Sequence, residues 1–205
     1  MKKQPTKIVL TGAPGSGKST SLAPVKEHFE KNGYHVLTVP ETATELITSG
    51  IAPWTMESYP EFQSLLMDLQ MDKEKAFERF VPADRQKETL ILLDRGLLDN
   101  KAFMKNEDFA KMLEEKEVSE KDLMDRYDAV FHMESPARIY PECYTVENNP
   151  ARKHNAEQSI ERDKVLQEIW KEHPQYQFVP AQKNFDQKTA SLIAQIEAFL
   201  KNRKS

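Results

Sequence analysis

The sequence predicts an α/β fold, a parallel sheet enclosed by crossover helices, and three observations carry that expectation. Five short, β-branched or apolar runs lie at residues 7–11, 36–39, 89–94, 129–133 and 177–179. Long polar-amphipathic segments separate them, which is the rhythm of strand, crossover helix, strand. The first run passes directly into a glycine-rich turn and then into a helical stretch that closes at Asn32-Gly33.

Each element has its own local cause. Leu22, Val25 and Phe29 give the first helix one apolar stripe, and Pro24, which lacks an N–H, is expected to bend it. The second strand ends at Pro40-Glu41, ahead of a short helix carrying Thr42, Ala43, Thr44 and Leu46. Ser58-Tyr59-Pro60-Glu61 reads as a capping box with proline in the first turn. Behind it, Phe62, Leu65, Leu66, Leu69, Lys73 and Phe77 follow helical spacing, the lysine lending its aliphatic stem. Ser119 and Asp122 repeat the cap before Leu123 and Tyr127. Leu192, Ile193, Ile196, Phe199 and Leu200 form a last stripe, expected to pack on the sheet. Residues 135–161 are rich in Pro, Asn, Arg and Glu and read as a loop, either a mobile lid or a plain connection.

At 205 residues the chain is expected to form a single domain over 1–205, with its lid at about 135–161. Hydrophobic residues make up 39% and charged residues 30%, a globular but strongly solvated composition. A net charge of −4 argues against a general nucleic-acid surface while leaving room for a local basic pocket. Cys143 is the only cysteine, so no intrachain disulfide is possible. No apolar run reaches membrane-spanning length, and the first residues lack a signal-peptide core, so the expected location is cytoplasmic. Nothing in the sequence sets an oligomeric state.

Gly12-Ala13-Pro14-Gly15-Ser16-Gly17-Lys18-Ser19 is a complete phosphate-binding loop, and its strand–loop–helix context is the one such a loop requires. The loop, with Thr20 behind it, points backbone N–H groups at a phosphate chain at the positive end of a helix. Lys18 is placed to neutralise the β/γ oxygens of a nucleoside triphosphate, and Ser19 to ligate Mg²⁺. Residues 90–94 are four apolar residues ending in Asp94, the shape of a second Mg²⁺ contact on a neighbouring strand. Arg95 follows at once and can reach a transferring or acceptor phosphate, or form a salt bridge at the strand end. Glu41, just past the second strand, faces the crevice in such folds. Accepting a proton from an attacking hydroxyl, holding Mg²⁺ through water and capping the next helix are all open to it.

Other polar residues divide between site and surface. Arg138, Arg152, Lys153 and Arg162 are cations on or beside the lid, suited to closing over phosphate. Gln63, Gln70 and Glu74 lie on one long helix, either as a solvated face or with an amide reading a base or sugar. Trp54 and Tyr59 are read first as core and otherwise as an acceptor-pocket wall. The five histidines show no paired metal-ligand spacing. The late loop at 180–186 lacks the Asn/Thr-Lys-x-Asp string of guanine-selective proteins, which favours ATP over GTP.

Four segments in order resemble a known group: the phosphate loop, Glu-Thr-Ala-Thr-Glu-Leu-Ile at 41–47, Leu-Asp-Arg-Gly with a following Asp at 93–99, and Asn-Pro-x-Arg at 149–152. They are similar to small AAA-type ATP-binding domain proteins allied to ribosylnicotinamide kinase and, more distantly, to deoxynucleoside and thymidylate kinases. The resemblance implies a P-loop NTPase three-layer sandwich, its five strands in the order 2-3-1-4-5, with an Arg-bearing lid between strands four and five. It aligns Glu41 with the base of deoxynucleoside kinases and Arg95 with the arginine near their acceptor. The lid departs from the pattern, with Arg152-Lys153-His154 in place of a tight arginine cluster, and no signature for one particular nucleoside is present. The implied activity is ATP- and Mg²⁺-dependent phosphoryl transfer to a small acceptor, a nucleoside or nucleotide. A nucleotide-gated ATPase regulator and a polynucleotide 5′-hydroxyl kinase are the alternatives.

Overall fold

The computed structural model describes residues 4–80, 82, 84, 86–141 and 156–203. Strands β1 (Thr6–Thr11), β2 (His35–Val39), β3 (Thr89–Asp94), β4 (Ala129–Met133) and β5 (Tyr176–Val179) pair in parallel in the order β2-β3-β1-β4-β5. This is the order the resemblance implies and the α/β fold of P-loop NTPases. All five strands fall within a residue or two of the apolar runs, because a strand covered on both faces has no polar alternation to blur it.

Two layers of helix cover the sheet, and the period-two alternation of side chains decides which layer each strand residue joins. Ile8, Leu10, Leu90, Leu92 and Phe131 pack with Val25 and Phe29 of α1 (Lys18–Lys31) and Leu192 and Ile196 of α7 (Phe185–Asn202). Val9, Ile91, Leu93 and Val130 point the other way. They meet Met67 of α3 (Tyr59–Glu78), Leu97 of the 3₁₀ segment Leu97–Phe103, Phe109 of α4 (Asn106–Glu115), Leu123 of α5 (Glu120–Met124) and Trp170 of α6 (Ala156–Trp170). Ser58 caps α3 by accepting from Glu61 N, and Ser119 forms the full reciprocal box with Asp122 at α5.

Two expectations change. The segment read as loop over 135–161 ends in helix, since α6 begins at Ala156. Its polar composition hid it: the buried face carries Ser159 beside Leu166 and Trp170. On α3, Leu65 is exposed while Gln63, Gln70 and Glu74 are buried, because Glu74 meets Lys7, Arg126 and Tyr127, Gln70 meets Arg95 O and Gln63 meets Tyr59. Pro24 lies inside helix α1, where the sequence places it.

The register brings the carboxyl ends of β1, β2 and β3 to one rim, with Leu10 opposite Asp94 and Val39 opposite Leu93. The turn into α1, the turn into α2 (Thr42–Thr48) and the segment after β3 therefore begin side by side. Lys73 of α3 secures the second of these, donating to Pro40 O at 3.1 Å and to Glu45 Oε2 at 2.6 Å.

Leu92 is fully buried between both neighbours of β3. Leu92→Ala is expected to cost about 2–5 kcal/mol in urea unfolding, from lost transfer energy plus the residual cavity. Ser119→Ala is expected to cost only about 0.5–2 kcal/mol, the price of one cap. Equal losses would contradict this account of the core.

Candidate active site

The phosphate loop is shaped by what surrounds it. Gly12 has φ +137°, and a Cβ there would lie 2.3 Å from Met133 O of the adjacent strand, so only glycine fits. From the other side α6 holds the loop: Asp163 Oδ1 accepts from Ala13 N at 3.0 Å and Ser159 Oγ donates to Pro14 O at 2.9 Å. Lys188 of α7 donates to Ser16 O at 2.7 Å and to Glu134 O, its ammonium lowered to about 8 by burial. No side chain caps the first turn of α1. Its orphan N–H groups, over Gly17, Lys18, Ser19 and Thr20, are thus suited to an anion.

Lys18 is buried and folds back on the loop, donating to Gly12 O at 2.7 Å, Ala13 O at 3.0 Å and Ser16 Oγ at 3.2 Å. Burial, and then the charge of Arg95, lowers it to about 7, against the pull of Asp94, Glu41 and Asp99. Ser19 Oγ donates to Asp94 Oδ2, whereas Asp94 Oδ1 is buried without a hydrogen-bond partner. Burial and the neighbouring Glu41 raise the Asp94 carboxyl. A hydroxyl beside an unsatisfied carboxylate oxygen is an all-oxygen donor set, which suits Mg²⁺. Among the described residues no group of three or more His, Cys, Asp or Glu is placed to hold a metal by itself.

Arg95 joins the three turns. Its Nε donates to Glu41 Oε1 at 2.6 Å, and its Nη1 to Asp99 Oδ2 at 3.1 Å and Gly12 O at 3.3 Å. Asp99 also accepts from Thr11 Oγ1 at 2.9 Å and from Trp170 Nε1 at 2.7 Å. Gly96 permits that indole to approach, since a Cβ there would lie 2.7 Å from the Trp170 ring. Arg95 itself has φ +80°, a left-handed backbone that costs a non-glycine residue about 1–3 kcal/mol. Burial alone would raise Glu41, but the charges of Arg95 and Lys18, with hydrogen bonds from Arg95 and Thr44, hold it down to about 2. Its side chain makes no cap to α2, although it occupies the N-cap position, so the capping alternative is not what the structure shows.

Beside this pair opens a cleft of about 320 Å³. Glu41, Arg95 and Asp99 lie at its polar end and Pro14 at its border with the phosphate loop. Ile47, Trp54, Tyr59, Phe62, Leu66 and Phe103 supply an apolar wall. Trp54 and Tyr59 therefore line the cleft, with 61% and 41% of their surface exposed, and are not core residues. Gln63 and Gln70 also line it. Gln63 Nε2 donates to Tyr59 Oη at 2.9 Å and leaves Oε1 buried and unpartnered, whereas Gln70 turns its amide N–H to Arg95 O at 3.2 Å.

Of the other cations, Arg162 lies over the Phe103 ring at 4.6 Å, and Arg95 approaches the same ring at 5.2 Å. Burial and Arg95 both lower its pKa. Arg138 pairs with Glu134 at 2.9 Å. Arg152, Lys153 and Cys143 lie outside the described residues. Ser159, Asp163, Trp170 and Lys188 were not legible as site residues. The only trace is the spacing of 159, 163, 166 and 170 along one helical face, visible once α6 is known to be a helix.

Fold and loop together define a nucleotide-binding P-loop domain. A family described as an AAA domain matches residues 7–188, and the chain belongs to that family. No curated protein matches the chain significantly. No helix among the described residues is long and apolar enough to cross a membrane.

A triphosphate set against Lys18 raises its proton affinity above the free-protein value of about 7. At pH 8, ATP binding is expected to take up a fraction of a proton approaching one, and at pH 6 much less from this group. Calorimetry in buffers of different ionisation enthalpy measures the uptake, and Lys18→Met should abolish it. Buffer-independent heats at pH 8 would contradict a lowered proton affinity of Lys18 in the free protein.

Proposed function

We propose that this domain transfers the γ-phosphoryl group of ATP, with Mg²⁺, to a hydroxyl of a small acceptor, a nucleoside or nucleotide. One observation carries the reading above all: a largely apolar cleft of small-molecule size meets the phosphate loop at Glu41 and Arg95. A protein that only switched with its nucleotide would have no use for a second, pre-formed pocket ending in a carboxylate–guanidinium pair.

In this reading Lys18 and the loop amides hold the phosphates, and Ser19 and Asp94 hold the metal. When bound, Mg²⁺ neutralises charge on the phosphate oxygens. The acceptor oxygen forms its bond to the γ-phosphorus as the bond from that phosphorus to the bridging oxygen of ATP breaks, and ADP leaves. Glu41 accepts the hydrogen bond of the attacking hydroxyl. Held at about 2, it is a weak base, so it orients the hydroxyl first and takes the proton late, as the oxygen loses electron density to phosphorus. Arg95 aligns Glu41 and faces the acceptor, and Arg162 and Arg152 are the cations available to close over the transferred group. Gln63 offers an unsatisfied amide oxygen to an N–H of the acceptor.

An ATP-consumption screen over nucleosides and nucleotides, against the rate without acceptor, tests the proposal. Stimulation by one of them supports it, and a rate indifferent to every acceptor favours an ATPase regulator. Lys18→Ala is expected to abolish turnover in a folded protein. Glu41→Gln is expected to lower turnover about 10²–10⁴-fold with little change in ATP affinity. Loss of stability alone in that variant would make Glu41 a purely structural residue.

A further inference from the structure

The left-handed backbone at Arg95 is held from behind by a buried chain of hydrogen bonds. Arg95 N donates to Leu10 O at 3.0 Å, which fixes one side of the residue to β1. On the other side Arg95 O accepts from Gln70 Nε2, and two residues on, Leu97 N donates to Tyr127 Oη at 2.9 Å. Both of these side chains converge on Glu74. Its Oε1 accepts from Tyr127 Oη at 2.8 Å and from Gln70 Nε2 at 3.4 Å. Its Oε2 accepts from Lys7 Nζ and Arg126 Nε, each at 3.2 Å.

The chemistry of Glu74 gives this chain a direction. A carboxylate between two cations only accepts hydrogen bonds, so Tyr127 spends its single proton on Glu74 and keeps a lone pair for Leu97 N–H. For the same reason Gln70 presents its NH₂ end, which can donate to Glu74 and to Arg95 O at once. Glu74 has a side chain with no exposed surface, and a buried carboxylate with two partners is an expensive way to fill space that leucine would fill. Its arrangement is accounted for by what it orders.

We infer that Gln70, Glu74 and Tyr127 are positioning residues, whose hydrogen bonds hold the 95–97 backbone in the turn that aims the Arg95 guanidinium at Glu41 and the cleft. Glu74 and Tyr127 are not among the residues that line the cleft, whereas Gln70 borders the cleft as well as the turn. The consequence for catalysis rests on the phosphotransferase reading; the geometric claim does not.

The test uses the ¹⁵N-labelled full chain. The Arg95 Nε–H, bonded to Glu41, is expected to give a downfield, slowly exchanging signal, assigned by its loss in Arg95→Lys. Tyr127→Phe keeps the buried ring and its edge contact with Trp170, and Gln70→Met keeps the volume of the side chain. In both, with folding verified by melting curves, that signal is expected to move upfield and exchange at least about tenfold faster. Glu78→Gln, which removes only an outer partner of Lys7, is expected to leave it unmoved. With an acceptor from the screen, kcat is expected to fall in Tyr127→Phe and Gln70→Met while the KM for ATP holds. If the screen yields no acceptor, the phosphotransferase reading fails and the Arg95 signal still decides the positioning claim. Native shift and exchange at Arg95 in the folded variants overturns it.

Discussion

A guanidinium largely taken out of water needs carboxylates and carbonyls as partners, and at Arg95 this requirement organises the molecule. Glu41 reaches it from the turn after β2, Asp99 from the 3₁₀ segment, and Gly12 O from the phosphate loop. Three chain segments far apart in sequence are thereby joined through one side chain. Removing one partner of a fully buried pair typically costs about 3–5 kcal/mol, and less where, as here, the pair borders a cleft. The same balance explains why Glu41 is held so low and why Arg95 is held above its ordinary range.

Around that centre the helices behave as clamps. Helix α6 is the clearest case, gripping the phosphate loop through Ser159 and Asp163 and the segment after β3 through Arg162 and Trp170. Trp170 does this with both halves of its chemistry, packing its ring on Gly96 and donating its N–H to Asp99. Helix α3 plays the corresponding part on the cleft side, where Gln70 donates to Arg95 O and Tyr59, Phe62 and Leu66 line the pocket.

What the sequence determined by itself was whatever depends on neighbours in the chain. Five strands announced themselves as apolar runs, Ser58 and Ser119 announced helix starts, and residues 12–19 announced the phosphate loop, since each signal is written within a few residues. The order of the strands came from resemblance, since no local pattern encodes it. Glu41, Asp94 and Arg95 could be placed near the loop because parallel strands deliver their carboxyl ends to one rim.

Only the tertiary structure decided how those residues pair and what supports them. That Glu41 binds Arg95 and leaves α2 uncapped, that Trp54 and Tyr59 line a cleft, and that Gln70 and Glu74 are buried all follow from contacts between residues tens of positions apart. A glutamate on a helix looks the same in sequence whether water or a lysine and an arginine will meet it. Periodicity reports which side of an element is apolar, and it carries no information about a buried polar face, whose partners are supplied by other elements. The fold was therefore legible from local pattern, and the electrostatics of the site became legible only once the sheet had brought its ends together.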